Sequence, residues 1–171
     1  MSQPQHASPG LPSQYLTFSL GGETFAIGIL SIKEIIQYRG LTEVPMMPRS
    51  VRGVINLRGA VVPVVDLALR LGKPASTAGR RSCIVIVEVA DGADSPVLGV
   101  MVDAVSEVVE IAPDDIEDAP SFGAPISREF IAGIGKLRGK FVVLLEVSRT
   151  LSVDELADVA QTSHEGFQDA A

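Results

Sequence analysis

Apolar and polar residues alternate over short stretches of this chain, a pattern typical of β-strands with one buried face. Gly-rich and Pro-rich segments separate these stretches, and Gly21-Gly22 is a hairpin signal. The pattern predicts strands at residues 15–20, 25–29, 53–57, 61–65, 82–89, 97–103, 105–111, 130–137 and 141–147. Many short strands at regular spacing favour an all-β fold of barrels or a sandwich over βαβ units.

Other segments carry no clear strand pattern. Residues 31–36 (SIKEII) could form a short helix with Ser31 as N-cap or continue as a strand. Residues 112–127 are rich in proline and acids, which predicts a long surface loop. We therefore expect one folded region over 14–150, with a terminal helix over 148–159. The sequence also predicts two flexible tails, at residues 1–13 and 160–171.

The chain contains an internal repeat. Residues 53–67 (GVINLRGAVVPVVDL) align with residues 133–147 (GIGKLRGKFVVLLEV) without a gap. Upstream, residues 27–36 align with residues 100–109, so that Glu34 matches Glu107. The repeat predicts two related β units, at about 15–78 and 80–150. Units of this size bury little apolar surface alone, so we expect them to pack together and share a core.

Composition supports a β-rich core and excludes several classes of partner. Hydrophobic residues make up 46% of the chain and aromatic residues 5%, so Val, Ile and Leu must build the core. The net charge of −7 argues against nucleic-acid binding. The single cysteine, Cys83, allows no internal disulfide. Without a signal-peptide pattern or a long apolar span, we expect a cytoplasmic protein that does not insert into membranes.

The residues of common catalytic sites are missing or badly placed. Both histidines, His6 and His164, lie in the predicted tails, where no general base is held in position. The glycine-rich residues 133–140 lack phosphate-loop spacing, and the acidic residues 114–118 lack the pattern of a calcium loop. The sequence thus favours a binding module without enzymatic activity, metal or cofactor.

Two alternatives remain open. The first is an enzyme with Asp66, Glu34 or Asp103 as general acid or base, which requires a small-molecule pocket. The second is a sensor that binds a small ligand between the two units, which predicts a ligand-dependent rise in melting temperature.

Arg58 stands beside a turn in an otherwise apolar hairpin, where a partly buried guanidinium needs a partner. Glu34 is the first candidate for that partner and Asp66 is the second. A bidentate Glu34–Arg58 pair could be purely structural. It could also shape a groove with apolar walls at Ile32 and Val54, and such a groove marks a protein partner.

Four stretches of the chain carry a family resemblance: FSLGGETFAIGILSIKEI (18–35), VPMMPRSVRGVINLRGAVVPVVDLALRLG (44–72), LGVMVDAVSEVVEI (98–111) and FIAGIGKLRGKFVVLLEV (130–147). Through them the chain resembles the CheW family of bacterial chemotaxis coupling proteins, from about Tyr15 to Leu156. The second stretch is highly specific, because it places a Pro-x-x-Pro segment before GVINLRG and VVPVVDL.

The resemblance implies two packed, five-stranded SH3-like β-barrels. It also implies a non-enzymatic adaptor that couples the cytoplasmic signalling tip of chemoreceptors to the regulatory domain of a CheA-type histidine kinase. The receptor would dock in the groove between the barrels. By resemblance, its contacts would be Ile32, Glu34, Gly53, Val54, Asn56 and Arg58. Contacts with the kinase would be Leu98, Val100, Val102 and Val105.

The pathway that such an adaptor would serve stays open. Adaptors of this family also work in other chemosensory systems, such as twitching motility. A further alternative is an array scaffold that binds the kinase but no receptor.

Overall fold

The Val- and Ile-rich runs form strands, as their alternating pattern predicts. The computed structural model describes residues 11–89, 96–118 and 130–151. The strands within these residues are β1 (Ser13–Leu20), β2 (Glu23–Gly28), β3 (Ile32–Gln37), β4 (Val51–Leu57), β5 (Ala60–Asp66), β6 (Cys83–Glu88), β7 (Val97–Val102), β8 (Ala104–Ile111), β9 (Ile116–Glu117), β10 (Ile131–Leu137) and β11 (Lys140–Leu145). Two short helices are α1 (Leu67–Arg70) and α2 (Val147–Thr150), and 3₁₀ turns cover Ile29–Ser31 and Pro113–Asp115.

The ambiguous segment 31–36 is extended, since β3 follows directly on a 3₁₀ turn. Helix α1 was not predicted. It begins where the side chain of Asp66 accepts a hydrogen bond from the backbone N–H of Leu69. Helix α2 lies at the start of the predicted terminal helix 148–159, and residues after 151 lie outside the described residues. So do residues 1–10 and residues 119–127 of the predicted loop.

The strands form two sheets, which confirms the all-β fold. The five-stranded sheet has the order β3-β6-β7-β5-β4, and the six-stranded sheet has the order β8-β1-β2-β11-β10-β9. In each sheet one strand pair is parallel, β5 with β7 and β2 with β11. The sixth strand of the larger sheet, β9, has two residues.

The division of the chain into barrels at 15–78 and 80–150 is wrong. Hairpin β1–β2, from the first repeat, lies in the sheet of β8–β11, while hairpin β6–β7, from the second repeat, lies with β3, β4 and β5. We call the sheet of β3–β7 barrel one and the other barrel two. Each barrel therefore takes its hairpin from one repeat and its remaining strands from the other.

The two barrels share one topology and close in similar ways. In barrel one, the loop after β3 returns to β4 through a bridge between Thr42 and Val54. In barrel two, the chain after β8 makes a 3₁₀ turn and returns as β9, which pairs with β10. Because β3 corresponds to β8 and β4–β5 to β10–β11, the sequence repeat is also a structural repeat.

Three hydrophobic clusters hold the fold together. One lies inside barrel one around Ile84 and Met101, and one lies inside barrel two around Ile111 and Leu144. The largest cluster draws side chains from both barrels and forms a shared core. Within it, Phe18 and Phe25 are opposite each other on β1 and β2, with stacked rings 6.3 Å apart. Such an aromatic pair adds about 1 kcal/mol to its burial energy.

Polar contacts also join the barrels. The Nε of Arg70, in α1, donates a hydrogen bond to the carbonyl of Thr150 in α2 at 2.7 Å, and its guanidinium lies over the ring of Phe130. Lys73 pairs with Glu23 of β2 at 2.5 Å. The segment after β5 is thus fixed against barrel two.

Candidate functional site

The turn between β4 and β5 holds Arg58 in a defined place. Leu57 and Ala60 pair across it, so Arg58 and Gly59 form a two-residue hairpin loop. Both have positive φ, 51° and 91°, as in the type I′ turns that suit the twist of a hairpin. The side chain of Asn56 accepts a hydrogen bond from the Gly59 N–H at 2.7 Å. Asn56 therefore stabilises the turn that presents Arg58.

Arg58 pairs with Glu34 of β3, as the sequence predicts. Both terminal nitrogens of the guanidinium donate to the carboxylate, with 3.3 Å between Nη1 and Oε1 and a closer contact between Nη2 and Oε2. The hydrogen bond from Arg58 lowers the pKa of Glu34 below its usual value. The Arg58 side chain is 70% exposed, so the pair is an accessible, oriented pair of opposite charges.

A cavity of about 680 Å³ lies beside this pair in the seam of barrel one. It lies between the end of β3 and strand β4, where the Thr42–Val54 bridge joins the two sides. Its lining residues are Ile36, Gln37, Arg39, Gly40, Leu41, Thr42, Val54, Ile55, Asn56 and Ile84. All of them belong to barrel one, so the cavity does not lie in the joint between the barrels.

The six residues predicted to bind a receptor do not all reach this surface. Val54 and Asn56 line the cavity, and Glu34 and Arg58 form the ion pair. Ile32 is half-buried against the shared core. Gly53 is buried, and a Cβ built on it would lie 2.5 Å from the carbonyl oxygen of Thr42. The bridge from Thr42 to β4 therefore requires glycine here.

Asp66 is not a partner of Arg58. Its side chain is fully buried, with Oδ2 2.6 Å from Arg52 Nη1 and 2.9 Å from the backbone N–H of Ser76. Arg52 also donates to the Ser76 carbonyl at 3.1 Å. This cluster fixes the segment after α1 against β4 and β5. The third carboxylate considered for acid–base chemistry, Asp103, accepts a hydrogen bond from the Gly21 N–H at 2.8 Å.

Barrel two carries a second ion pair of the same kind. Arg138, in the β10–β11 turn, donates from Nη1 to Oε2 of Glu107 at 2.6 Å and from Nη2 to Oε1 at 3.3 Å. Its φ is 53°, and Gly139 follows at 78°. The hydrogen bond from Arg138 lowers the pKa of Glu107. Sequence analysis did not name this pair, although the repeat matches each of its members to a residue of the first.

The fold agrees with the comparisons to known proteins. A family model described as CheW-like domain matches residues 14–155. This chain belongs to the CheW family. It is 33% identical over 142 residues to Chemotaxis protein CheW of Rhizobium meliloti, covering 83% of this chain and 89% of that protein.

Other CheW relatives agree in length and structure. Chemotaxis protein CheW of Klebsiella aerogenes is 30% identical over 144 residues, which are 84% of each chain. The crystal structure of the scaffolding protein TtCheW from Thermoanaerobacter tengcongensis superposes with a TM-score of 0.72 at 32% identity. That alignment covers 80% of this chain and 86% of TtCheW. The prediction of a CheW-like fold of two packed barrels is therefore confirmed.

The structure contradicts three of the four kinase contacts expected from the CheW resemblance. Leu98, Val100 and Val102 lie on β7 and are buried in the shared core. Their side chains are at most 7% exposed, so they have no access to a partner. Val105, the second residue of β8, is half-buried and stays a prediction. Among the described residues, no helix is long and apolar enough to cross a membrane.

Proposed function

We propose that this CheW-family chain is a non-enzymatic chemotaxis adaptor that couples chemoreceptors to a CheA-type histidine kinase. In this proposal the signalling tip of the receptor, at the cytoplasmic side of the membrane, docks on the surface formed by Glu34, Arg58, Val54 and Asn56. The observation that carries the proposal is the Glu34–Arg58 pair, exposed beside the seam cavity of a chain whose relatives are chemotaxis proteins.

The chemistry of this surface suits a protein partner. The pair offers a planar cation and a carboxylate held in one geometry, which can orient matching polar groups of a helix. The half-buried Val54 and the cavity beside it can accept an apolar side chain. An adaptor requires specific faces at moderate affinity, and this arrangement provides one such face.

The experiment is a titration of the full chain with a receptor signalling-tip fragment, followed by calorimetry or fluorescence. Arg58→Ala should weaken binding about tenfold, because truncated arginines in interfaces commonly cost that much or more. The variant should keep its melting temperature, since exposed ion pairs contribute little to stability. Arg138→Ala is the matched control, because it removes the equivalent guanidinium from barrel two.

Each result separates the possible roles of Arg58. Loss of receptor binding in Arg58→Ala alone, with unchanged folding, supports a direct role in docking. If Arg58→Ala unfolds, the pair is structural and this site is wrong. If the wild-type chain binds the kinase regulatory domain but no receptor fragment, the protein is an array scaffold and the receptor function is refuted.

A further inference from the structure

One end of barrel one carries three exposed arginines. Arg80 and Arg81 occupy the two central positions of a tight turn, in which the N–H of Ser82 donates to the carbonyl of Gly79 at 3.2 Å. The hydroxyl of the buried Ser82 accepts a hydrogen bond from the N–H of Gly79 at 2.8 Å, which closes the turn from the other side. The third arginine, Arg39, follows β3. The turn thus fixes where two of the three cations leave the barrel.

The register of the sheet places Arg39 across from Arg81. The backbone N–H of Tyr38 donates to the carbonyl of Ser82 at 3.0 Å, which continues the antiparallel pairing of β3 with β6. The next pair in this register is Arg39 with Arg81, and the Cα atoms of such a pair are about 4.5–5.5 Å apart. Like charges directly opposite each other destabilise a strand pair. We call Arg39, Arg80 and Arg81 the arginine cluster.

The folded part of the chain does not neutralise this cluster. None of its three arginines has an ion-pair partner among the described residues. Asp103, which follows the facing end of β7, accepts a hydrogen bond from the N–H of Gly21 instead. Unpaired cations held together by a defined turn favour an anionic group that the described residues do not supply.

The arginine cluster borders the seam cavity, because Arg39 is one of the residues that line it. The cavity also has an apolar part, formed by Ile36, Leu41, Ile55 and Ile84. Its volume of about 680 Å³ is that of sites that hold whole small molecules, so one aromatic side chain fits inside. The combination suits an anionic segment that also carries a large apolar side chain.

The chain itself contains such a segment. Residues 152–171 carry five carboxylate side chains and no lysine or arginine, and their one aromatic residue is Phe167. Glu165 and Asp169 each lie two residues from Phe167. Residues two apart point to the same face of an extended backbone, so the ring and both carboxylates can meet one surface together.

The segment starts within reach of the arginine cluster. Leu151, the last described residue, follows Thr150, whose carbonyl accepts a hydrogen bond from Arg70 at 2.7 Å. Arg80 lies ten residues after Arg70, which is at most about 35 Å of chain. The fourteen residues from Leu151 to Glu165 span at most about 50 Å. The carboxylate of Glu165 can therefore reach the cluster in the same molecule.

We propose that residues 152–171 dock on barrel one of their own chain, with Phe167 in the seam cavity and with Glu165 and Asp169 paired to the arginine cluster. The docked segment occupies the cavity that the proposed function gives to the receptor, so it competes with receptor docking. The competition rests on the proposed function, whereas the contact within the chain does not.

The first test measures this contact in the full chain without a partner. A nitroxide label on Ser163→Cys, in a Cys83→Ser background that leaves one thiol, should broaden the amide NMR signals of Gly40 and Arg80. Cys83→Ser keeps a donor for the carbonyl of Arg81, which the thiol contacts at 3.5 Å. The amide shift of Gly40 should also change between the wild type and Phe167→Ala, and this measurement needs no label.

Controls separate docking from a segment that merely passes near the barrel. Glu165→Gln combined with Asp169→Asn should remove most of the broadening, because the carboxylates that hold the segment are lost. Phe167→Ala should do the same. The amide of Gly139 should keep its signal, since the arginine of that turn is already paired within barrel two.

The second test is the titration with the receptor tip fragment. Phe167→Ala should tighten binding by at least about twofold, because a cavity covered in half of the molecules halves the apparent affinity. Val159→Ala is the matched control, since it shortens another apolar side chain of the same segment, and it should leave the affinity unchanged.

Each outcome decides one part of the proposal. Equal broadening with and without the two carboxylates, or an unchanged Gly40 shift in Phe167→Ala, would overturn the docking. Broadening between labelled and unlabelled molecules in a mixed sample would place the segment on a second copy, and the assignment to its own chain would be wrong. Docking with unchanged receptor affinity in Phe167→Ala would refute the competition. If the wild type binds no receptor fragment, the proposed function fails, while the label still decides whether the segment docks.

Discussion

Removal of the Asp66 carboxylate should destabilise the fold, although this residue lies on no proposed binding surface. The side chain is fully buried and accepts hydrogen bonds from Arg52, from the Ser76 N–H and, at 3.3 Å, from the Leu69 N–H. Asp66→Ala therefore leaves two backbone donors and one guanidinium without their acceptor. The start of α1 and the segment that leads to β6 both lose their anchor.

The expected loss follows from these contacts. Breaking a buried ion pair by removal of one member costs about 3–5 kcal/mol. Arg52 is 31% exposed and can regain water, which places the loss near the lower limit, at about 3 kcal/mol. The loss of the N-cap is included in this figure, since a cap alone accounts for about 1 kcal/mol. A small domain has a stability of about 5–15 kcal/mol, so the variant should still fold.

Urea unfolding followed by circular dichroism measures this loss, with the free energy of unfolding taken by linear extrapolation. The matched control is Asp103→Ala, whose carboxylate also accepts a backbone N–H but at an exposed site, and which should cost less than about 1 kcal/mol. Arg52→Ala combined with Asp66→Ala should cost less than the sum of the single variants, because the two residues share one interaction. A loss below about 1 kcal/mol for Asp66→Ala would refute the assignment of this cluster as an anchor.

Two further predictions concern the barrel-one surface. Gly53→Ala should lower the free energy of urea unfolding by about 1–3 kcal/mol, because its Cβ would meet the Thr42 carbonyl. The control is Gly28→Ala, which should be nearly neutral because a Cβ at Gly28 meets no atom within 4 Å. Equal losses in the two variants would contradict the role of Gly53 in barrel closure. Because the hydrogen bond from Arg58 lowers the pKa of Glu34, the stabilising effect of the pair is present above the usual value of 4.5 and is lost as pH falls through the lowered pKa. Carboxyl ¹³C NMR should show the Glu34 midpoint rising toward 4.5 in Arg58→Ala, and an unchanged midpoint would refute the pairing in solution.

Features determined by neighbouring residues could be predicted from the sequence. The Arg58-Gly59 and Arg138-Gly139 turns follow from glycine placed after a strand, and both exist as two-residue hairpin loops. The Glu34–Arg58 pair could also be predicted, because a guanidinium beside an apolar hairpin needs a carboxylate and the upstream strand offers one. The family resemblance and the β-rich fold depend on such local patterns, and both are confirmed.

Features that depend on distant pairing could not be predicted. The alternation in β7 does not reveal how the two barrels pack, and this packing buries Leu98, Val100 and Val102 in the shared core, where the resemblance implies kinase contacts. The sequence also does not reveal that Asp66 pairs with Arg52 and not with Arg58. This pairing depends on the fold that brings Ser76 back to the end of β5, where its N–H donates to Asp66. The second ion pair could have been found, since the repeat aligns Glu107 with Glu34 and Arg138 with Arg58.

The exchange of hairpins between the repeats determines how variants of this protein must be interpreted. Each barrel contains strands of both repeats, and the shared core takes side chains from both barrels, so the two barrels form one folding unit. A substitution that damages the core must therefore weaken both binding faces together. A substitution at the exposed Arg58 leaves the core untouched, and its effect should be confined to receptor binding. A variant that loses binding to one partner but keeps binding to the other thus identifies a residue of a binding face. A variant that loses binding to both partners indicates an unfolded chain.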